Sequence, residues 1–149
     1  MTKAILSERA KKAMKNEISR FPYLETGGLL LGYYHENDDV LHVMEATDGG
    51  YHKVIHEEIA FQYDVDYVTH VCDILIHLYE PELQIIGLWH KHNQQCKVHF
   101  SLADEKMHDQ LLEMSNHPCL SILYEKTAED EYDVLIFLLD NNQCIQIEE

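Results

Sequence analysis

Apolar runs alternate with short polar breaks along the chain, and this pattern predicts a mixture of strands and helices. A glycine-rich apolar run over residues 27–34 is typical of a buried strand. Residues 40–47 are predicted to pair with it as a hairpin across the polar turn 35–39. Further strands are predicted from short apolar runs at residues 5–6, 51–59, 83–89, 119–125, 132–139 and 143–147.

Capping residues predict three helices. The segments run over residues 7–20, from Asp64 or Asp66 to Tyr79, and over residues 101–115. Ser7 can cap the first helix through its hydroxyl, and Pro81 follows the end of the second. Strands and helices do not alternate regularly, and no linker or repeat divides the chain. We therefore expect an α+β fold and a single domain over residues 1–149.

Composition narrows the classes of protein to consider. The chain has 149 residues, of which 46% are hydrophobic, enough for one domain with a core. It has neither an apolar run of about 20 residues that would span a bilayer nor a signal-peptide core. We therefore expect a soluble cytoplasmic protein. The net charge of −16 repels phosphate backbones and anionic lipids, so we expect no nucleic acid and no membrane as partner.

The four cysteines do not have the spacing of a metal or redox motif. They are Cys72, Cys96, Cys119 and Cys144, and no Cys-x-x-Cys pair occurs among them. This argues against a zinc ribbon or a thioredoxin-type site and against a zinc nucleobase deaminase, which needs a Pro-Cys-x-x-Cys segment. Reduced thiols are expected.

Two histidines that follow the predicted strand 83–89 are the first candidates for chemistry. One residue separates His90 from His92, so in an extended chain their side chains lie on one face, with Cα atoms about 7 Å apart. Both imidazoles can then reach one metal ion, while Lys91 points to the opposite face. Taken alone, the pair also fits two polar residues at the end of a strand.

A serine and two carboxylates complete the set of candidates. Ser101-Leu-Ala-Asp104 has the spacing of a helix cap, and a helix start holds its first-turn side chains rigidly. If the intervening loop folds back, Asp104 becomes a third ligand, which gives the three protein ligands of a catalytic zinc site. Glu25, just before an apolar strand, is the candidate proton carrier. An ordinary solvated glutamate is the simpler interpretation of that residue alone.

Taken together, these segments closely resemble the JAMM signature of the JAB/MPN metalloprotease family. The resemblance rests on Glu25-Thr-Gly-Gly-Leu-Leu-Leu-Gly, then Gly-Leu-Trp-His90-Lys-His92, then Ser101-Leu-Ala-Asp104. The order of elements is similar to that of a stand-alone bacterial-type JAB domain and covers nearly the whole chain. The resemblance implies a cytidine-deaminase-like α+β fold, with a central mixed, mostly antiparallel sheet flanked by about three helices.

The resemblance also implies a zinc-dependent isopeptidase or peptidase that removes ubiquitin or a ubiquitin-like modifier, as a deubiquitinase does. By position in the motif, His90, His92 and Asp104 would hold one Zn²⁺ ion. Glu25 would take a proton from the attacking water and return it to the leaving amine. Ser101 would hydrogen-bond the oxyanion of the tetrahedral intermediate. The expected partners are a ubiquitin-like protein or its conjugates, together with components of a ubiquitin-like ligase.

Three features depart from the family pattern. Asn93 stands where a proline usually follows the second histidine, and Lys91 stands where Ser or Thr is frequent. The loop between His92 and Ser101 holds eight residues, one more than is common. Because one added loop residue costs little chain entropy, we expect metal ligation to survive.

The same loop raises a hypothesis about regulation. Cys96 or His99 is a candidate to occupy the open metal position and switch the site off, since a thiolate is a strong zinc ligand. The alternative is a loop thiol and a solvent-facing histidine. The resemblance also implies that residues 48–63, a region in which family members often vary, form the surface for the modifier, whose extended tail can add to a sheet edge as a strand.

Two other functions stay open from the sequence. A metal-free MPN domain acting as a scaffold would keep the fold without the chemistry. A sulfur-carrier or small-molecule amidase would use the same site. A DNA-associated relative is disfavoured by the net charge of −16. The identity of the modifier and the oligomeric state are not determined by the sequence.

Overall fold

Nine strands and three helices form in the part of the chain that the computed structural model describes, residues 1–94 and 99–149. The strands are β1 (Lys3–Leu6), β2 (Thr26–His35), β3 (Val40–Ala46), β4 (Ile55–His56), β5 (Phe61–Gln62), β6 (Gln84–His92), β7 (Cys119–Ala128), β8 (Glu131–Asp140) and β9 (Gln143–Ile147). The helices are α1 (Glu8–Arg20), α2 (Val65–His77) and α3 (Leu102–Glu113).

Seven of these strands form one mixed sheet in the order β1-β3-β2-β6-β7-β8-β9. The pairs β1–β3 and β6–β7 are parallel, and the other neighbours are antiparallel. Strands β4 and β5 form a separate short hairpin. A mixed sheet with three helices confirms the predicted α+β class.

Side-chain caps set the starts of the helices where the sequence predicts them. The Ser7 side chain accepts a hydrogen bond from the amide of Ala10, and α1 ends at Arg20 as predicted. Of the two predicted starts for the second helix, Asp64 is the cap, and it accepts from the amide of Tyr67. Local signals suffice here because a cap depends only on its own residue and the next three positions.

The predicted strand over residues 51–59 is wrong. Only Ile55–His56 is extended in that region, and it pairs with Phe61–Gln62. Ile55 and Ile59 are 42% and 80% exposed, so these apolar side chains find no core to pack against. A short apolar residue pattern without such a core does not stabilise a long strand.

Strand β6 runs three residues beyond its predicted end at Trp89, and it therefore includes both histidines. Hydrogen bonds on both sides keep this end extended. Thr26 and Gly27 of β2 pair with Lys91 and His90, and β7 pairs with β6 as far as His92. The extension depends on two neighbouring strands, which a local pattern does not contain.

Helices cover both faces of the sheet. Consecutive residues Leu30 and Leu31 of β2 point to opposite faces, as pleating requires. Leu30 belongs to the core under α1, and Leu31 belongs to the core under α2. Leu88 of β6 packs with Leu111 of α3 on the same face as α2. Among the described residues, no helix has the length and apolarity that crossing a membrane requires.

Candidate metal centre

The register of the sheet brings the candidate residues to one place. Because β2 pairs with β6 from Thr26 opposite Lys91, the preceding residue Glu25 lies at the sheet end that carries both histidines. The two strands approach closely there. A Cβ on Gly27 would lie 2.3 Å from the carbonyl oxygen of Trp89, so only glycine fits this position.

His90, His92 and Asp104 converge as the sequence predicts. The Nε2 atoms of the two histidines lie 2.9 Å apart. Oδ2 of Asp104 lies 3.7 Å from Nε2 of His90 and 4.0 Å from Nε2 of His92. Ligand atoms in a tetrahedral site with bonds of about 2.0–2.1 Å are roughly 3.3 Å apart, so these separations suit one shared cation. The three residues could therefore hold a metal ion.

A capping box fixes Asp104 at the start of α3. Ser101 Oγ accepts from the amide of Asp104 at 3.1 Å, and Asp104 Oδ2 accepts from the amide of Ser101 at 2.9 Å. Burial pushes the pKa of Asp104 upward, but its interactions with His90 and Ser101 outweigh burial and hold the pKa below its ordinary value. The carboxylate is therefore ionised, which is the form that binds a cation.

His92 is held in the neutral form that a metal ligand requires. Burial, assisted by the charge of His90, lowers the pKa of His92 to about 4. Its Nδ1 atom is buried, has no hydrogen-bond partner among the described residues and lies 3.9 Å from Oε2 of the buried Glu125. Metal-bound histidines commonly direct this second nitrogen to a carboxylate, and β6–β7 pairing places Glu125 opposite His92.

Glu25 is a buried carboxyl group, with 9% of its surface exposed. Burial raises the pKa of Glu25 to about 7, although the charge of His90 opposes this shift. A carboxyl group with a pKa near neutrality can both accept and release a proton at neutral pH, as a general acid–base group must. The interpretation of Glu25 as an ordinary solvated loop residue does not fit this burial.

This raised pKa predicts how Glu25 affects the stability of the protein when a chelator keeps metal away. The carboxyl group titrates near 4.5 when unfolded and near 7 when folded. The folded state therefore binds the proton more tightly, and the free energy of unfolding falls as pH rises from about 4.5 to 7. Glu25→Gln cannot ionise, so we expect it to be more stable than the parent at pH 8, by up to about 3 kcal/mol at about 1.4 kcal/mol per pKa unit.

Urea unfolding at pH 5 and pH 8, in the presence of a chelator, measures this effect. The advantage of Glu25→Gln should be small at pH 5 and full at pH 8. An equal difference at both pH values would contradict the raised pKa.

All five predicted site residues line one cavity. They are Glu25, His90, His92, Ser101 and Asp104. The cavity has a volume of about 390 Å³. Much of the remaining wall is apolar and comes from the β4–β5 hairpin region, β6, α3 and the loop before α3. The apolar wall includes Ile59, Phe61, Tyr63, Leu88, Phe100 and Met107.

Of the two loop residues that the sequence suggests as regulators, the structure describes one. Cys96 lies outside the described residues. His99 directs Nδ1 to Oε2 of Glu125 at 3.1 Å, so this ring nitrogen is engaged with the carboxylate beside His92 and not with the three ligand atoms. His108 of α3 is also buried, and its Nε2 lies 2.9 Å from Oγ of Ser121 on β7. Burial lowers the pKa of His108 to about 4, so its imidazole is neutral beside the site.

Four further residues contact the candidate site residues or the segments that carry them. The sequence did not assign these four to the site. They are His56, Lys91, Asn93 and Glu125. Lys91 is fully buried, and its position in a central strand is the signal that could have revealed it, since a lysine there must have buried partners. The contacts of the other residues come from distant segments and leave no local signal.

Comparison with known proteins adds information on the fold alone. No protein-family model and no curated protein matches the sequence. Among solved structures, the chain is similar to the solution structure of protein DSY2949 from Desulfitobacterium hafniense, with a TM-score of 0.66 and 15% identity. The similarity covers 99% of this chain and 90% of that chain. The TM-score indicates a shared fold, and an identity as low as 15% carries no inference about activity.

Proposed function

We propose that the chain is a zinc-dependent hydrolase of the JAB/MPN type that cleaves the peptide or isopeptide bond after ubiquitin or a ubiquitin-like modifier. The observation that carries the proposal is the convergence of His90, His92 and Asp104 with the buried Glu25 at one cavity. The three-part sequence motif and the α+β fold with its mixed sheet support it.

The donor set favours zinc among the common metals. Two imidazole nitrogens and one carboxylate oxygen are the ligands of many catalytic zinc sites, which keep one position open. Hard cations such as Mg²⁺ and Ca²⁺ instead prefer oxygen ligands throughout. When bound, zinc would act as a Lewis acid on the scissile carbonyl and lower the pKa of a coordinated water to about 7.

Glu25 and Ser101 supply the proton transfer and the oxyanion contact. Glu25 would accept a proton from the attacking water and then donate it to the leaving amine, a role that its pKa of about 7 suits. Ser101 Oγ accepts a hydrogen bond from the amide of Asp104, and its hydroxyl also interacts with the Asp104 carboxylate. A hydroxyl group can rotate to direct its proton to another acceptor. That proton can be donated to the oxygen of the scissile carbonyl as charge develops on it.

Replacing Ser101 separates its role as the cap of α3 from its proposed role as a hydrogen-bond donor to the substrate. Ser101→Gly removes the hydroxyl donor, while glycine as a helix cap costs only a few tenths of a kcal/mol. We therefore expect kcat to fall by about 10²-fold, the effect of losing one oxyanion donor, with Tm nearly unchanged. Ser101→Thr keeps both the cap and the donor and is the matched control. If Ser101→Gly lost activity only in proportion to its stability, Ser101 would be a cap alone.

The apolar wall of the cavity supports an extended modifier tail as the substrate. This wall, which includes Ile59 and Phe61 from the β4–β5 hairpin region, can pack against apolar side chains of such a tail. This region lies within residues 48–63, the expected binding surface. A free modifier, its fusions or its conjugates with ligase components would each present this tail.

A small-molecule or sulfur-carrier amidase is the second candidate. A cavity of about 390 Å³ with an apolar wall and a few polar groups is within the size range of small-ligand sites. The same metal chemistry would then act on a compact amide. A metal-free scaffold is the weaker alternative, because it gives no reason for three ligand atoms to converge beside a buried glutamate.

A substrate panel with and without a chelator tests the proposal. The zinc-loaded protein is incubated with linear ubiquitin-like fusions, lysine-linked conjugates and small amide substrates. We expect cleavage after the modifier that the chelator abolishes and added zinc restores. Cleavage of small amides alone would favour the second candidate, and cleavage that ignores the chelator would contradict a metal mechanism.

A further inference from the structure

The connection between α1 and β2 is held by side chains from elsewhere in the chain. We call residues 21–25, which end in Glu25, the Glu25 segment. Each of its five consecutive carbonyl oxygens accepts a hydrogen bond from a side chain outside the segment. The donors are Lys91 Nζ to Phe21 (2.6 Å) and Leu24 (2.8 Å), Lys126 Nζ to Pro22 (3.1 Å), Asn93 Nδ2 to Tyr23 (3.0 Å) and His56 Nδ1 to Glu25 (2.9 Å).

Lys91 is the central donor. It lies between the two histidines on β6, but strand alternation turns it toward the side of α1, where the Glu25 segment lies. Its side chain is fully buried, and its third bond goes to Oδ1 of Asn93 at 2.7 Å. An ammonium group has three donors, so every one of them is satisfied. A buried charge of this kind is costly when any partner is lost, which makes the arrangement rigid.

Asn93 extends the same network to the wall of the cavity. Its side-chain oxygen accepts from Lys91, and its Nδ2 donates to the carbonyl oxygens of Tyr23 and of Glu58, the latter at 2.8 Å. The two residues at which the chain departs from the JAMM pattern therefore bond to each other. Together they tie the end of the metal-binding strand to the backbone that carries Glu25.

We propose that Lys91 and Asn93 are positioning residues that hold the Glu25 segment, and with it the Glu25 carboxylate, against the metal-binding end of β6. This inference rests on the proposed function, because it assigns to the network the alignment of a general base. A small misalignment of a reacting group can cost up to about 10²-fold in rate. Loss of the network should therefore lower turnover without removing a metal ligand.

Three variants test the proposal. Lys91→Met keeps the length of the side chain but removes its donors, and Asn93→Ala removes the amide without changing the charge. Lys11→Met is the matched control, because this lysine pairs with Glu8 and Glu149, which lie outside the Glu25 segment. Three quantities are measured for each. They are the hydrogen-exchange rate of the Glu25 amide, which donates to Glu57 O at 2.7 Å, the zinc affinity by chelator competition, and kcat with KM.

For Lys91→Met and Asn93→Ala we expect amide exchange at Glu25 to be at least about tenfold faster and kcat at least about tenfold lower. Zinc affinity should change less than about threefold, because the ligands themselves are untouched. The control should match the parent in all three quantities. If Lys91→Met does not fold, Asn93→Ala decides the question by the same measurements.

Two results would overturn the proposal. One is unchanged exchange at Glu25 in both variants, and the other is zinc affinity that falls as much as kcat. Exchange is measured without substrate, so it reports on the network even if the parent protein cleaves nothing in the panel. Absence of cleavage alone would count against the proposed function and not against the positioning of the segment.

Discussion

Glu25→Gln is expected to abolish hydrolysis while leaving zinc binding intact. Glutamine has nearly the same shape but can neither accept nor return a proton, and such transfers contribute about 10²–10⁴-fold to rate. We therefore expect kcat to fall by at least about 10²-fold. KM and zinc stoichiometry should stay close to those of the parent, because Glu25 lies beside the three ligands without belonging to them.

Glu17→Gln is the matched control for this change. Glu17 is another buried glutamate, 4% exposed, and it accepts a hydrogen bond from Thr26 outside the cavity. Its replacement should leave kcat within about threefold of the parent, since it supplies no proton to the reaction. Steady-state kinetics on the cleaved substrate, with zinc content measured on the same samples, provide the comparison. Full activity in Glu25→Gln would contradict the role of Glu25, and loss of zinc would make it a ligand.

Removing a metal ligand is expected to remove both the metal and the activity. His90→Ala leaves two ligands of three, and Asp104→Asn keeps the shape of the capping box but removes the anion. Because a catalytic site of this type has only three protein ligands, we expect each variant to lose stoichiometric zinc on dialysis and to lose detectable cleavage. The rise in Tm that zinc produces in the parent should also disappear, since that rise reflects binding to the folded state.

His77→Ala is the control for the loss of a histidine. His77 lies in the last turn of α2, exposed, where it contacts Asp73 of the same helix. This variant should keep one zinc ion per chain, measured by elemental analysis, and the full thermal shift. Retention of stoichiometric zinc by both His90→Ala and Asp104→Asn would place the metal elsewhere and remove the basis of the proposed hydrolase.

Local signals in the sequence were sufficient for the helix starts and for most of the strands. The caps at Ser7 and Ser101 could be predicted because capping involves a side chain and an amide three residues later. The strand over residues 51–59 could not be predicted correctly, because its apolar residues Ile55 and Ile59 have no core against which to pack. Only the folded chain determines where a core is available.

The five residues proposed for the site, which line one cavity, could be selected from the sequence because the chemistry limits the choice of residue types. Histidine, aspartate and glutamate at the spacing of the motif are the groups that bind zinc and carry protons. Among their supporting residues, only Lys91 gave a signal, as a lysine in a central strand. Lys91, Asn93 and His56 act through backbone carbonyls of the Glu25 segment, and any residue type supplies a carbonyl.

The sequence by itself determined the class of fold, the helix caps and the identity of the groups that could bind a metal, since each follows from neighbouring residues or from side-chain chemistry. The tertiary structure alone decided that these groups meet at one cavity and that a buried lysine holds the Glu25 segment. The physical reason is that those contacts depend on strand register and on bonds between residues 67 to 70 positions apart. Such pairings form only when the sheet brings distant segments side by side.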